Sequence, residues 1–357
     1  MTDITLNMET IMDITLQTEP LIDTLELPAL PGITWRGFQG ESEYPKIIAI
    51  INACKDRDGI ERSDTVEQVA NNYAHLHNSH PATDMLFAEA ADGLAGYSRV
   101  WWEIQGDGAW IGFSIGYVRP DWRRRGIGTT LMRFNESRLY QLLSQLKQTG
   151  EVTAQSPCFF DQFLDDSELD KCALIEKHGY RLIRHTFEMV RPDLENIPDL
   201  PLPPGVEGRP FQPEHLRLIW QASNEAFLDH WGFIPDPWEI FEAWQNDPDY
   251  NPSLWRVAWQ DNQVAGMVLS FINRAENEEY HRLRGYTENI CVRRPWRKQG
   301  LAKALIARGL QALKAEGMHE AALGVDAQNI SGATHLYELM GYRVTRQGSI
   351  YRKELAV

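Results

Sequence analysis

The sequence has few cysteines, no long apolar run and no excess of positive charge. The four cysteines (Cys54, Cys158, Cys172 and Cys291) are scattered and form no Cys-x-x-Cys pair, which favours buried thiols over a disulfide framework. No run of about 18 apolar residues occurs, so we expect no membrane span. A net charge of −15 argues against a nucleic-acid partner. No His-x-x-x-His pairing occurs either, so we expect no metal site.

The length of 357 residues suits two domains of ordinary size, and 43% hydrophobic residues are typical of a globular protein. The first residues, "MTDITLNMETIMDITLQTEP", lack a basic start followed by an apolar core. We therefore expect no secretory signal, a cytoplasmic protein, and a poorly ordered lead-in over residues 1–29.

One motif occurs twice in the chain. "VRPDWRRRGIGTTLM" begins at Val118 and "VRRPWRKQGLAKALI" begins at Val292. Further on, "LIEKHGYRLIRHTFEMVR" from Leu174 matches "LYELMGYRVTRQGSIYRK" from Leu336, and each copy predicts a helix stopped by Gly-Tyr and followed by a strand. An internal repeat of this length indicates two copies of one fold.

The repeat also extends upstream, where each half has a first strand, helical stretches and a hairpin with a turn at Asp-Gly or Asp-Asn. This order predicts a mixed α/β architecture, with two tandem domains that each place a mixed sheet between helices. The proline-rich segment 193–204 is typical of a linker. We therefore predict domains at 30–192 and 205–357.

The repeated turn between strand and helix has the composition of an anion site. The first free amides of a helix and the positive end of its dipole favour an anion, and Gly300 would let the backbone approach one. Arg297 and Lys298 add positive charge. Neither GxxxxGK[ST] nor GxGxxG is present, which favours a pyrophosphate that is bound but not hydrolysed. A basic turn that only faces solvent is the alternative interpretation of a single copy, and the presence of a second copy argues against it.

These residues resemble the GNAT superfamily of N-acetyltransferases. "RRRGIG" and "RKQGLA" both fit its coenzyme A pyrophosphate signature, and "NISGATHLYELMGY" resembles its final helix. The tandem arrangement resembles two-domain acetyltransferases of the mycothiol synthase group. The resemblance implies transfer of an acetyl group from acetyl-CoA (acetyl-coenzyme A) directly to an amine, with the chemistry in the C-terminal domain.

The resemblance also assigns roles to residues. Tyr337 would protonate the leaving thiolate, whereas the first copy has Ile175 there, which cannot donate a proton. The cofactor contacts implied in the second half are Ile290, Cys291, Val292, Arg297, Lys298, Gln299, Gly300, Leu301, Ala302, Lys303 and Asn329. Those implied in the first half, which we expect to be non-catalytic, are Val118, Arg123, Arg124, Arg125, Gly126, Ile127, Gly128 and Thr129.

The base and the acceptor site are predicted less directly. Glu288 shares a strand face with Ile290, which makes it the first candidate for the base, and Asp326 and Glu225 are weaker ones. The segment "QASNEAFLDHWGFIPDPWEIFEAW" has no counterpart in the first half. Its aromatic and acidic residues could contact a cationic amine or simply pack in the core. The candidate acceptor contacts are Phe227, Asp229, His230 and Trp231.

The sequence therefore favours an acetyl-CoA-dependent N-acetyltransferase acting on a small-molecule amine, as a monomer or weak homodimer. A non-enzymatic acyl-CoA-binding or sensor protein remains the alternative, in which both halves hold the cofactor. Such a binder would need neither Tyr337 nor Glu288.

Overall fold

The computed structural model describes residues 25–329 and 332–355. The helices are α1 (Tyr44–Asp58), α2 (Val66–Ala74), α3 (Pro81–Asp84), α4 (Ile127–Thr149), α5 (Leu169–Lys177), α6 (Leu216–Phe227), α7 (Trp238–Ala243), α8 (Arg274–Glu279), α9 (Leu301–Ala315) and α10 (Ala333–Leu339). The strands are β1 (Thr34–Arg36), β2 (Met85–Ala90), β3 (Gly93–Ile104), β4 (Trp110–Val118), β5 (Cys158–Asp165), β6 (Arg181–Arg191), β7 (Glu207–Arg209), β8 (Arg256–Gln260), β9 (Gln263–Phe271), β10 (Arg284–Val292), β11 (Glu320–Asp326) and β12 (Arg343–Glu354).

The element order confirms the predicted mixed α/β repeat. Each half contains a first strand, helices, a hairpin, a fourth strand, a long helix, a fifth strand, a short helix and a final strand. The glycines predicted to stop the short helices, Gly179 and Gly341, have φ angles of 88° and 89°. These left-handed values carry little steric cost only for glycine, which explains why each helix ends there.

All twelve strands form one continuous sheet in the order β1-β2-β3-β4-β5-β12-β6-β11-β10-β9-β8-β7. The final strand of each half lies in the sheet of the other half, because β12 pairs with β5 and β6 pairs with β11. The two exchanged strands also pair antiparallel with each other, from Arg343 with Val190 to Arg352 with Arg181. The sequence division at 193–204, whose residues form no helix or strand, did not predict this exchange.

Packing of α9 against the sheet shows how closely helix and strands approach in the second half. A Cβ atom at Gly285 of β10 would lie 2.4 Å from Leu313 of α9, so only glycine allows this approach. Leu305, Leu310 and Leu313 belong to the same buried cluster as Tyr337. The core of this half therefore continues to the end of α10.

Residues 1–24 of the predicted lead-in lie outside the described residues, and the described remainder lies against the first half. Leu25 and Leu27 pack on the cluster that contains Ile127, and the indole of Trp35 donates to the Pro28 carbonyl. The segment therefore contributes to the core beside the first repeat motif.

Candidate active site

Strands β10 and β11 separate along the sheet and leave a cavity. They pair in parallel only from Arg284 with Glu320 to Tyr286 with Ala322. Beyond that point the pairing of β10 with β9 shifts register between Glu288 and Cys291, and Asn289 takes a left-handed φ of 46°. This bulge turns the end of β10, in the manner of bulges near functional sites.

The cavity has a volume of about 940 Å³ and contains almost all the site residues predicted for the second half. Of the predicted cofactor contacts, those that line it are Ile290, Cys291, Val292, Arg297, Lys298, Gly300, Leu301, Ala302, Lys303 and Asn329. Tyr337, Glu288 and the four predicted acceptor contacts line it as well. Gln299 does not, because its side-chain amide donates to the carbonyl of Pro295.

The loop before α9 has the backbone of an anion site. Gly300 caps the helix with a φ of 84°, and a Cβ atom built there would meet no atom within 4 Å. Lys298 is also left-handed, with a φ of 62°. The first amides of α9 therefore face open cavity space, and the helix dipole adds positive potential there.

The charge of Arg297 alone predicts that its guanidinium faces an anion, but the guanidinium is bound to protein groups instead. Its guanidinium donates to the carbonyls of Val292 and Ala226, at 2.9 and 3.0 Å, and to the Asp229 carboxylate at 2.8 Å. Arg294 also binds Asp229. Arg297 therefore joins the loop before α9 to the end of α6, and Lys298 and Lys303 are the more available cations of this cavity wall.

Tyr337 projects from α10 into the cavity wall and is 7% exposed. Its ring packs edge-on against Tyr342, with 6.2 Å between ring centroids. Burial raises the pKa of Tyr337 well above its ordinary value, and the nearby Glu288 and Cys291 raise it further. The phenol is therefore protonated at neutral pH and can act as a proton donor.

Glu288 stands apart from the other carboxylates near the cavity. Burial raises its pKa from 4.5 to about 7, although the Gly324 N–H, which donates to it at 3.2 Å, lowers it. The weaker candidates are both paired with arginine, because Arg293 binds Glu225 and Arg184 binds Asp326, each at 2.6 Å. A carboxylate with a pKa near 7 suits a general base, whereas an arginine-paired one is a poor proton acceptor.

The predicted acceptor residues line the cavity at and just beyond the end of α6. His230 packs edge-on against Phe227, and its pKa is lowered by burial and then by Arg297, which favours the neutral imidazole. The Trp231 ring lies under two guanidinium groups, with Arg184 at 4.6 Å and Arg352 at 5.3 Å from its centroid. Arg184 and Arg352 come from the exchanged strands β6 and β12, and sequence reasoning missed both because the repeat does not reveal the exchange.

The aromatic residues further along this segment belong elsewhere. Trp238 packs edge-on against Trp220 and lies on the core cluster under α6. Neither Trp238 nor Trp244 lines the cavity. The part of the segment that faces the cavity therefore ends at Trp231, and core packing explains Trp238.

The first half has a smaller cavity, of about 460 Å³, at the equivalent place. Of the coenzyme contacts predicted for this half, those that line it are Val118, Arg123, Arg124, Gly126, Gly128 and Thr129, and two others do not. Ile127 is buried in the core, and Arg125 lies over the Trp122 ring at 4.7 Å. Arg123 binds the Asp58 carboxylate through two contacts of 2.7 Å, as Arg297 binds Asp229.

The first half also lacks the features that distinguish the second. Its β4 pairs with β3 in unbroken register from Val118 to Trp110, so it has no bulge there. Ile175, which occupies the position of Tyr337 in the repeat, is fully buried, and Ser114 occupies the position of Glu288. This half therefore has neither an acid nor a base at the equivalent positions.

Residues 216–342, which include all the residues that line the larger cavity, match the family model described as "Acetyltransferase (GNAT) family". The chain is similar to GNAT-family acetyltransferases, and its C-terminal half carries the match to the family model. It is similar to the mycothiol acetyltransferase of Salinispora tropica, with 28% identity over 308 residues that cover 84% of this chain and 90% of that protein. The corresponding protein of Salinispora arenicola is also 28% identical, over the same shares of both chains.

Solved structures extend the likeness to both halves. A GCN5-related N-acetyltransferase from Sphaerobacter thermophilus has a TM-score of 0.67 and 26% identity, covering 92% of this chain and 96% of that one. A tandem GNAT protein from the clavulanic acid biosynthesis pathway has a TM-score of 0.63 over 91% of this chain and 99% of that one. At 11% identity the second likeness concerns the fold alone.

Residues 25–329 and 332–355 contain neither a membrane-spanning helix nor a metal-binding cluster. No helix in these ranges is both long and apolar enough to cross a membrane. No group of three or more histidine, cysteine, aspartate or glutamate side chains in the same ranges is placed to hold a metal ion.

Proposed function

We propose that the C-terminal half transfers an acetyl group from acetyl-CoA to the primary amine of a small molecule. The observation that carries this proposal is one cavity that combines an anion-binding helix start, a bulged strand, a protonated tyrosine and a carboxylate with a pKa near 7. Similarity to acetyltransferases favours transfer over the non-enzymatic binder considered from the sequence.

The residues present fit the coenzyme at two places. The amides of Gly300 to Lys303 would hold its pyrophosphate, because open space above Gly300 leaves room for phosphate oxygens close to the backbone. The bulged end of β10, at Ile290 and Cys291, would hold its acyl arm and offer a backbone N–H to the thioester oxygen. When bound, the coenzyme supplies the activated acetyl group.

Two side chains would handle the protons. Glu288 accepts a proton from the attacking ammonium, directly or through one water, so that the amine nitrogen can form the new C–N bond. Tyr337 would donate its proton to the sulfur as the C–S bond breaks, and its phenolate would take up the second proton that the nitrogen loses as the amide forms. The products are the N-acetylated amine and the free thiol of the coenzyme.

The acceptor would lie between the bulge and the wall formed by Phe227, His230 and Trp231. An apolar wall with a neutral imidazole favours the uncharged amine that the reaction needs. The curated relatives bear the name mycothiol acetyltransferase, so their acceptor is the first compound to test.

The test measures thiol release when the full chain is incubated with acetyl-CoA and a panel of small amines. We expect Tyr337→Phe to lower turnover by about 100-fold or more while the affinity for acetyl-CoA stays nearly unchanged. Tyr342→Phe is the matched control, because its hydroxyl bonds Thr287 at 2.8 Å and does not line the cavity. Full activity in Tyr337→Phe, or equal losses in both variants, would contradict the assignment.

A further inference from the structure

The smaller cavity of the first half is closed at its inner end by two side chains that the second half lacks. The first parallel pairs of the two halves, Trp110 with Cys158 and Arg284 with Glu320, align Ser114 with Glu288 and Gln162 with Gly324. The shared motif of the two long helices aligns Asn135 with Gly309. Two glycine positions of the catalytic half are therefore occupied by a glutamine and an asparagine.

Both side chains are buried and line the smaller cavity. Gln162 is 2% exposed, and its side-chain amide donates to the hydroxyl of Ser114. Asn135 is 3% exposed, and its side-chain oxygen has no hydrogen-bond partner within the described part of the chain. A buried acceptor without a donor is costly, so this oxygen calls for a hydrogen-bond donor from a ligand.

The same cavity reaches the basic end of the repeat motif. Gly128, Met132 and Asn135 follow one face of α4, and the helix rise places Asn135 about 10 Å deeper than Gly128. The mouth carries the start of this 23-residue helix together with Arg124, Lys171 and Lys177. Three carboxylates also line it, of which Asp58 binds Arg123 while Glu168 and Asp170 lie near Lys171 and Arg124.

We propose that this cavity binds coenzyme A with a free thiol in preference to acetyl-CoA, without acyl transfer. Gln162 occupies the position of Gly324, which lies beside Glu288 in the second half, so an acyl group in the smaller cavity would meet the Gln162 side chain. A thiol S–H can donate to the oxygen of Asn135, whereas a thioester offers only acceptors. The ligand is then the product of the reaction proposed above, and this inference rests on that reaction.

Calorimetric titration of the full chain with coenzyme A and, separately, with acetyl-CoA tests the preference. We expect two binding events with coenzyme A and one with acetyl-CoA. Arg124→Glu and Lys298→Glu occupy matching positions of the two motifs and assign each event to a half. Arg124→Glu should remove one coenzyme A event only, and Lys298→Glu should remove the acetyl-CoA event.

Two variants test the inner end of the cavity. Asn135→Leu, which keeps the volume but removes the acceptor, should weaken the first-half event with coenzyme A about tenfold. Gln162→Gly should create a second acetyl-CoA binding event. Because this variant only removes a side chain, it remains a usable test if Asn135→Leu does not fold. Equal affinity of the first half for coenzyme A and acetyl-CoA would overturn the inference. So would affinities for the two ligands that stay unchanged in both variants.

The same titrations separate this inference from the proposed function. If Lys298→Glu leaves the acetyl-CoA event intact, the proposed cofactor site of the second half is wrong. A coenzyme A event sensitive to Arg124→Glu would still support the first-half site in that case.

Discussion

Glu288→Gln is the substitution that most sharply tests the site. The glutamine has the same shape and can still accept the Gly324 N–H, but it carries no charge. Burial opposes the charged form of Glu288 and raises its pKa from 4.5 to about 7. Removing the charge should therefore stabilise the fold while it removes the base.

The magnitude follows from the shift in pKa. A rise of about 2.5 units corresponds to about 3 kcal/mol, and because the side chain partly faces an open cavity we expect about 2 kcal/mol. Because the pKa of Glu288 is higher in the folded protein than in the unfolded one, the buried carboxyl costs no folding free energy below its unfolded pKa, where it is protonated in both states. As the pH rises from 4.5 to about 7, the unfolded state ionises first and the folded protein loses stability relative to it.

Urea unfolding of both proteins at pH 5 and pH 8 measures the effect. Glu288→Gln should be more stable than the wild-type protein by about 2 kcal/mol at pH 8 and by much less at pH 5. Wild-type turnover should rise with pH through about 7, and the variant should lose that rise. Asp326→Asn is the control, because it breaks the ion pair with Arg184 and should destabilise the protein. A free-energy difference for Glu288→Gln that is equal at both pH values would refute the reasoning.

Two further predictions concern the walls of the cavity. Asn289→Gly should retain the left-handed bulge and most turnover. Asn289→Val should lower the free energy of unfolding by about 1–2 kcal/mol and lose turnover. Similar behaviour of the two variants would show that the bulge does not depend on Asn289. Asp229→Asn should raise the KM for the amine several-fold more than the KM for acetyl-CoA, because Asp229 lines the proposed acceptor wall and its bond to Arg297 fixes that wall at the end of α6. Steady-state kinetics with equal changes in both KM values would contradict this.

Much of the site could be predicted from the repeated motif. The end of β10 at Val292, the left-handed cap at Gly300 and the position of Tyr337 follow from local rules about strand ends, helix starts and glycine stops. Such rules need only neighbouring residues, so a single sequence carries them. The contrast between Tyr337 and Ile175 was visible for the same reason.

The rest depends on contacts between distant parts of the chain. Nothing local indicates that β12 pairs with β5, because either half could in principle complete its own sheet. Arg184 and Arg352 were missed for that reason, although both lie over Trp231. The bond between Arg297 and Asp229 could not be predicted either, since it requires the end of α6 to approach the loop before α9. Charge alone suggested that Arg297 faces an anion.

A crystal structure of the full chain with acetyl-CoA tests the central claim most directly. We expect the pyrophosphate on the amides of Gly300 to Lys303, and the thioester between the bulge at Ile290 and the phenol of Tyr337. A pyrophosphate bound elsewhere in the second half, or a sulfur atom beyond the reach of Tyr337, would contradict the account.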